Sequence, residues 1–147
     1  MEAHYESKRG TVLKRQEELY MYFVDMRNFS RTVPSGMEAE LQADYDHLNV
    51  SVRGFTFSVK VSERRPYDLV EVADDNAPFH FVARLHFDYA GPSSTDFRIE
   101  LDANLNLMMK AMIGGKIKEG LDKAVDALVA MSEGRMPEGM PDEFRNV

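Results

Sequence analysis

Residues 97–104 read FRIELDAN, and after a two-residue break residues 107–132 read LMMKAMIGGKIKEGLDKAVDALVAMS. In the first stretch apolar and polar residues alternate strictly, which is typical of a β-strand with one buried face. In the second stretch apolar residues recur every third or fourth position, which indicates an amphipathic helix. Asn106 stands where a helix N-cap is expected. The sequence therefore predicts a strand followed by a helix of about 26 residues, roughly 39 Å long at 1.5 Å per residue.

The same alternation runs through the sequence between Gly36 and Asn104. Turn signals rich in Gly, Pro, Asp and Asn interrupt it at short intervals. Strands with one apolar and one polar face, joined by short connections, belong to an antiparallel meander. We predict six consecutive strands, clearest at residues 55–62, 79–89 and 97–104 and weaker around 37–41, 48–52 and 67–73.

The N-terminal part is predicted to form a strand within residues 3–13, then two short helical pieces separated by a break between Asp25 and Asn28. The element order is therefore β-α-α-β6-α. The apolar face of the sheet must be covered, and only the last helix is long enough to do so. The predicted fold class is α+β, a helix-grip fold in which a curved antiparallel sheet surrounds a long C-terminal helix. We assign residues 1–132 to this domain and residues 133–147, rich in Gly and Pro, to a flexible tail.

Composition restricts the classes of function. The chain has 147 residues, of which 44% are hydrophobic, and a net charge of -7. That charge disfavours nucleic acids and anionic lipid surfaces as partners. There is no cysteine, which excludes disulfides and thiolate chemistry. No stretch resembles a signal peptide or a membrane span, so we expect a cytoplasmic protein without membrane insertion.

Several short motifs accompany the element order. Tyr5-Glu6-Ser7 opens the first strand, Asp25 and Asn28 form a D-x-x-N junction between the helical pieces, and the long helix carries Leu105-Asn106, Lys110, Met112, Glu119-Gly120 and Asp126-Ala127-Leu128. With these features the sequence resembles the START/Bet v 1-like (SRPBCC) superfamily over residues 5–131, in particular its small uncharacterised bacterial members. It departs from many of them in having Leu13 where a Pro ends strand one, and in lacking a Trp in the second helical piece.

The resemblance implies a cavity between sheet and helix that holds lipids, polyketides, plant hormones or other apolar molecules. It implies no common catalytic residue. The first hypothesis is therefore non-enzymatic binding or carrying of a small hydrophobic ligand. The alternatives are a polyketide cyclase or aromatase-like enzyme, and a protein-interaction module with a filled core. We expect no cofactor and no metal, and either a monomer or a homodimer.

The candidate ligand-binding residues are mostly those predicted to face inward. Aromatic strand residues and flexible Met side chains would suit an adaptable apolar pocket, although the same side chains could simply fill the core. The set comprises Phe23, Phe55, Phe57, Phe79, Phe81, Leu85, Phe97, Ile99, Leu101, Met109, Met112, Ile113, Ile117 and Leu121. Arg9 joins it as a polar contact at the pocket mouth if it shares the inward face of Tyr5. Alternatively it lies in water on a frayed strand.

Two further hypotheses concern the helix and the sheet. Gly114, Gly115 and Gly120 lie inside the predicted helix, where each costs about 1 kcal/mol relative to Ala. They either loosen a gate over the pocket or allow close packing on the sheet. In the sheet, a register that places Arg84 opposite Asp102 would give three complementary charge pairs on the polar face.

Overall fold

A computed structural model describes residues 2–31, 39–52 and 55–134 of the chain. Its helical elements are α1, a 3-10 helix and α2, which span Gln16–Phe23, Met26–Arg31 and Leu107–Ser132. The strands β1 to β8 span Glu2–Glu6, Gly10–Val12, Ala39–Ala43, His47–Val52, Phe55–Arg65, Leu69–Asn76, Phe81–Gly91 and Ser94–Asn104. The predicted order is thus confirmed, except that the first strand is divided into two. The tail from residue 135 lies outside the described residues.

The strands form one antiparallel sheet in the order β1-β8-β7-β6-β5-β4-β3, with β2 also paired to β8. From β3 to β8 each strand pairs with the next along the chain, which confirms the predicted meander. The first strand returns to the far edge and pairs with the last. This curved sheet and the long C-terminal helix make up the predicted helix-grip fold.

A bulge divides the first strand. Ser7 faces Ile99, with the Ser7 N–H donating to the Ile99 carbonyl at 2.8 Å, whereas Gly10 faces Phe97. Lys8 and Arg9 therefore both lie opposite the one residue between Ile99 and Phe97. An extra residue reverses the alternation of faces beyond it, so Gly10 takes the inward position. A Cβ there would lie 2.6 Å from Val125 Cγ1, so α2 packs too closely for any larger residue.

The D-x-x-N junction closes the end of α1. The Asp25 carboxylate accepts a hydrogen bond from the Arg27 backbone N–H at 3.0 Å. The Asn28 side-chain amide donates to the Tyr22 carbonyl at 2.6 Å, one of the carbonyls that a helix end leaves unpaired. The motif therefore stops α1 and starts the 3-10 helix.

α2 begins at its predicted cap, because the Asn106 side chain accepts a hydrogen bond from the Met109 N–H at 2.8 Å. It packs along β1, β2 and β8. Two apolar clusters anchor it. The first surrounds the fully buried Val125 and includes Val12, Leu19, Tyr20, Val70, Leu85, Phe87, Phe97 and Ile99. The second, near the N-terminus of α2, surrounds Ala3, Ala103 and Leu105 and includes Tyr5, Phe79, Phe81, Met109, Ile113 and Ile117.

The predicted register of β7 and β8 is wrong by two residues. Arg84 lies opposite Glu100, and Asp88 lies opposite Asp96. Phe87 instead lies directly opposite Phe97, with ring centroids 5.6 Å apart. Both rings are almost completely buried. Matching the buried phenylalanines therefore outweighs matching the solvated charges, because apolar burial contributes more than exposed ion pairs.

Candidate functional site

One row of inward side chains crosses the sheet between the two clusters. Register places Tyr5 beside Leu101, Leu101 beside Ala83, Ala83 beside Val72 and Val72 beside Val61. Directly paired residues share a face of the sheet, and Tyr5 contacts α2 at Gly114, so the whole row faces inward. Every member of the row remains partly exposed.

The row on one side, made up of Ile99, Leu85 and Val70, is completely buried. On the other side Ala103 is buried, whereas its partner Phe81 is partly exposed. On α2, the sheet-facing Ile113, Ile117 and Leu121 are also only partly buried. The inward surface is therefore incompletely covered where the two clusters meet, with Val61, Val72 and Leu121 packed against the first cluster and Tyr5, Ile113 and Ile117 against the second. We call the row from Tyr5 to Val61, together with Ile113, Ile117 and Leu121, the cleft.

The candidate residues divide into three groups. Leu101, Ile113, Ile117 and Leu121 line the cleft. Phe79, Phe81 and Met109 are partly buried around its end in the second cluster, and Phe57 is partly buried on the inner face of β5. Leu85, Phe97 and Ile99 are buried in the first cluster, where the Phe23 ring stacks on Phe97 at 5.7 Å. The residues of this last group form part of the hydrophobic core next to the cleft.

Two candidate residues do not face inward. Met112 is 68% exposed on the outer side of α2, because the inward positions of that segment are Met109, Ile113 and Ile117. The Arg9 side chain is 63% exposed and lies 3.6 Å from Asp88. The bulge turns it outward, so the alternative interpretation of Arg9 in water is the one that the structure shows. The Phe55 side chain lies outside the described residues.

The Tyr5 hydroxyl is the polar group that the candidate list missed. It is buried against Gly114, with its oxygen 2.9 Å from the position that a Cβ there would occupy. Within the described part of the chain it has no hydrogen-bond partner. A buried hydroxyl without a partner is unusual and costly. The sequence left the direction of Tyr5 open, and a strand pattern cannot show which helix residue covers it.

The outer face of the sheet carries an ion-pair network. Arg84 donates to Asp102 at 2.8 Å and to Glu71 at 3.0 Å. His4 Nδ1 lies 2.6 Å from Asp102, and His86 pairs with Glu100. Thus two of the predicted partnerships, Arg84 with Asp102 and His86 with Glu100, exist as diagonal neighbours in spite of the shifted register.

These pairs shift the pKa values of their members. The hydrogen bond from Arg84, followed by that from His4, lowers the pKa of Asp102. The Asp102 hydrogen bond in turn raises the pKa of His4. Burial opposes the charge of Glu100, but hydrogen bonds with His86 and Arg98 outweigh it and lower its pKa. The network therefore favours the ionised forms of Asp102 and Glu100 on the face opposite the cleft.

His4, Glu6 and Glu100 bring three possible metal-ligand atoms within 4.8 Å of one another. The Arg98 guanidinium already lies 3.2 Å from Glu100 and 3.8 Å from Glu6. A fixed cation at that distance repels a metal ion. The group is better explained as part of the ion-pair network than as a metal site.

Asp74 is a second partly buried carboxylate, near the Phe79–Phe81 end of the cleft. Burial acts to raise its pKa, but hydrogen bonds from the Phe81 N–H and from His80, both at 2.8 Å, outweigh it and lower the pKa. Both of its oxygens are engaged in joining β6 to β7.

The outer face also has a polar depression of about 270 Å³ on β3, β4 and β5, lined by Glu40, Gln42, Asn49, Ser51, Thr56 and Ser58. Its hydroxyls bond within the sheet, Ser51 with Thr56 at 3.1 Å and Ser58 with Asn49 at 2.5 Å. Four of the six lining side chains are thus hydrogen-bonded in pairs across the strands.

Among the described residues, no helix is both long and apolar enough to cross a membrane. No protein-family model matches the chain, and no curated protein sequence matches it.

Solved structures do resemble it. A point mutant of norcoclaurine synthase from Thalictrum flavum, in complex with a transition-state analogue, superposes with a TM-score of 0.70 at 12% identity, over 90% of this chain and 95% of that one. An uncharacterised protein from Bacillus thuringiensis gives 0.65 at 10% identity, over 89% and 99%. A solution structure from Thermobifida fusca gives 0.67 at 11% identity, over 94% and 97%. At such identities the likeness concerns the fold, and the chain has the START/Bet v 1-like helix-grip fold.

Proposed function

We propose that the protein binds a small apolar molecule in the cleft without transforming it. The observation that carries this proposal is the partial exposure of the row from Tyr5 to Val61, although it faces inward and packs against the two buried clusters. A filled core would bury this row as completely as the row of Ile99, Leu85 and Val70. Apolar walls with one or two polar groups are typical of sites for small hydrophobic ligands.

The distribution of ionisable groups supports binding over catalysis. Arg84, Asp102 and Glu100, the charged groups of the ion-pair network, lie on the outer face. An acid–base mechanism requires such groups within reach of the substrate. The Tyr5 hydroxyl is a described polar group at the cleft without a hydrogen-bond partner, and it is buried beneath α2 at Gly114, so a ligand could reach it only if α2 moved.

An enzymatic alternative follows from one of the structures with a similar fold. The norcoclaurine synthase of Thalictrum flavum has been solved in complex with dopamine and hydroxybenzaldehyde, and its TM-score here is 0.67. A cyclase-like reaction of this chain would have to rely on shape and on Tyr5. We therefore place it second.

A cleft-filling substitution tests the proposal. Ala83→Leu adds bulk in the middle of the row, whereas Val82→Leu adds it on the outer face of the same strand. We expect Ala83→Leu to abolish binding of an apolar fluorescent probe such as anilinonaphthalene sulfonate, and Val82→Leu to leave it intact. Equal binding by both variants would contradict a site at this place.

Native mass spectrometry of freshly purified protein, followed by organic extraction, addresses the ligand directly. A co-purifying apolar compound that Ala83→Leu eliminates supports the proposal. A protein without such a compound, and without a thermal shift from a panel of lipids and polyketides, argues for a protein-interaction module.

A further inference from the structure

The first three turns of α2 present an apolar surface to solvent. Leu107, Met108 and Met112 are 71%, 71% and 68% exposed, and Ala111 and Gly115 beside them are exposed as well. These positions follow helical spacing on the side opposite the sheet-facing residues of the same segment. We call these five residues the outer stripe of α2. Contiguous exposed apolar surface of this kind marks an interaction site.

The stripe is flanked by positive charge. Residues 107–118 contain Lys110, Lys116 and Lys118 and no acidic residue, in a chain whose net charge is -7. Lys110 follows Leu107 by three residues and Lys116 follows Met112 by four, so both side chains border the stripe. Lys118 pairs with Asp122 at 2.9 Å. No described acidic side chain lies within ion-pair distance of Lys110 or Lys116, although the charge of Lys116 helps to lower the pKa of Glu119. Long lysine side chains beside an apolar surface can reach past it to anionic groups.

The size, shape and charge of the stripe limit what it can bind. A stable dimer buries about 800 Å² per partner with some 20–30 residues a side, far more than five residues provide. A symmetric pairing would also bring the lysines of two copies together. The stripe is the convex outside of a helix, so it offers neither a groove nor a sheet edge on which a peptide could dock. A lipid surface, in contrast, accepts a convex apolar helix face bordered by lysines.

We propose that the outer stripe of α2 docks the protein on bilayers that contain anionic lipids. Leu107, Met108 and Met112 insert among the acyl chains near the headgroups, and Lys110 and Lys116 contact lipid phosphates. The same helix segment carries Ile113 and Ile117 on its inner side, so docking places one wall of the cleft at the bilayer. Docking depends on the surface of α2 alone and is independent of the proposed ligand binding.

Vesicle flotation of the full chain tests this inference. The probes are vesicles of phosphatidylcholine alone and of phosphatidylcholine with 30% phosphatidylserine, each at low salt and at 0.5 M NaCl. We expect binding to the anionic vesicles at low salt and its weakening at high salt, because salt screens the lysines. Lys110→Gln with Lys116→Gln should lower partitioning about 25-fold, since each lysine near an anionic surface contributes roughly fivefold.

Met108→Ser with Met112→Ser should abolish flotation, whereas Met21→Ser, at a methionine 59% exposed on α1, should leave it unchanged. Far-UV circular dichroism checks that each variant is folded. Failure of the unaltered chain to float with either vesicle overturns the inference. So does equal flotation of the Met21 and Met108/Met112 variants, or sedimentation showing that the stripe substitutions turn a dimer into a monomer.

Discussion

Two adjacent glycines in α2 should respond oppositely to the same substitution. A Cβ at Gly115 would have no neighbour within 4 Å, so Gly115→Ala changes only the backbone. Removing a glycine from a helix interior should raise the free energy of unfolding by about 1 kcal/mol. For a chain of this length, that raises Tm by roughly 2–4 °C.

At Gly114 a steric clash opposes the same gain in the free energy of unfolding. The new Cβ would lie 2.9 Å from the Tyr5 hydroxyl oxygen, while the nearest ring carbons are 3.7 Å away. Overpacking of this kind costs about 1–3 kcal/mol, so Gly114→Ala should be neutral or destabilising. Because the clash is with the hydroxyl alone, Tyr5→Phe in the same chain should restore most of the gain.

A double-mutant cycle measures the interaction between Tyr5 and position 114. Its four proteins are the unaltered chain, Gly114→Ala, Tyr5→Phe and the double variant, each unfolded in urea and followed by circular dichroism. Tyr5→Phe alone should stabilise the unliganded protein by about 1 kcal/mol, since it removes a buried hydroxyl without a partner. If Gly114→Ala stabilises as much as Gly115→Ala, and independently of Tyr5, the hydroxyl does not pack beneath α2 and the reasoning is refuted.

Three other substitutions follow from single contacts. Arg64, 22% exposed, donates to the Val24 and Tyr45 carbonyls and to Asp46. Arg64→Lys should lower the free energy of unfolding by about 2 kcal/mol in urea denaturation, because one ammonium cannot replace the guanidinium. An equal loss from Arg65→Lys, at a side chain that is 59% exposed, would rule out this explanation. Gly10→Ala should destabilise by about 1–3 kcal/mol through contact with two valines of α2, and an unchanged Tm would show that α2 packs less closely there. The pKa of His4 is raised above its ordinary 6.5, so its pairing stabilises the fold below pH 6.5, and this stabilisation is lost as pH rises through the higher folded value. His4→Gln should therefore lower the free energy of unfolding more at pH 5.5 than at pH 9, by at most about 1 kcal/mol because the pair is exposed. A pH-independent difference in urea denaturation would contradict the pairing.

The long periodic segments were predictable from sequence. α2 follows its 3.6-residue pattern from the Asn106 cap to Ser132, and the six-strand meander follows its period of two. In these segments local preference and burial favour the same structure. The order of elements then leaves one helix to cover one sheet, which is why the fold could be inferred without a relative.

The path of the first strand was not predictable in the same way. Alternation from Tyr5 places Arg9 inward, and only the extra residue between Ser7 and Gly10 turns it outward. A bulge of one residue changes neither composition nor average periodicity. Its one trace in the sequence is Gly10, whose lack of a side chain is explained by the approach of α2.

The register of β7 and β8 shows a related limit. Charge complementarity across the strands favoured one register, and the buried phenylalanine pair favours another two residues away. Both registers keep the same side chains inward, so alternation cannot separate them. Arg84 and Asp102 still meet because long side chains reach a diagonal neighbour. Polar contacts on a solvated face therefore follow the register and do not determine it.

In the N-terminal turns of α2 the sequence pattern does not show which face of the helix is buried. Apolar residues there surround most of the helix, so Met109 and Met112 were equivalent candidates for the inner face. Packing assigns Met109 to the second cluster and leaves Met112 in solvent. A helix that has to bury only one face has no structural need for Leu107, Met108 and Met112 on the other. The net charge of -7 gives no indication of the three lysines beside them. The net charge of the chain therefore disfavours binding to anionic lipid, whereas the local charge of this surface favours it.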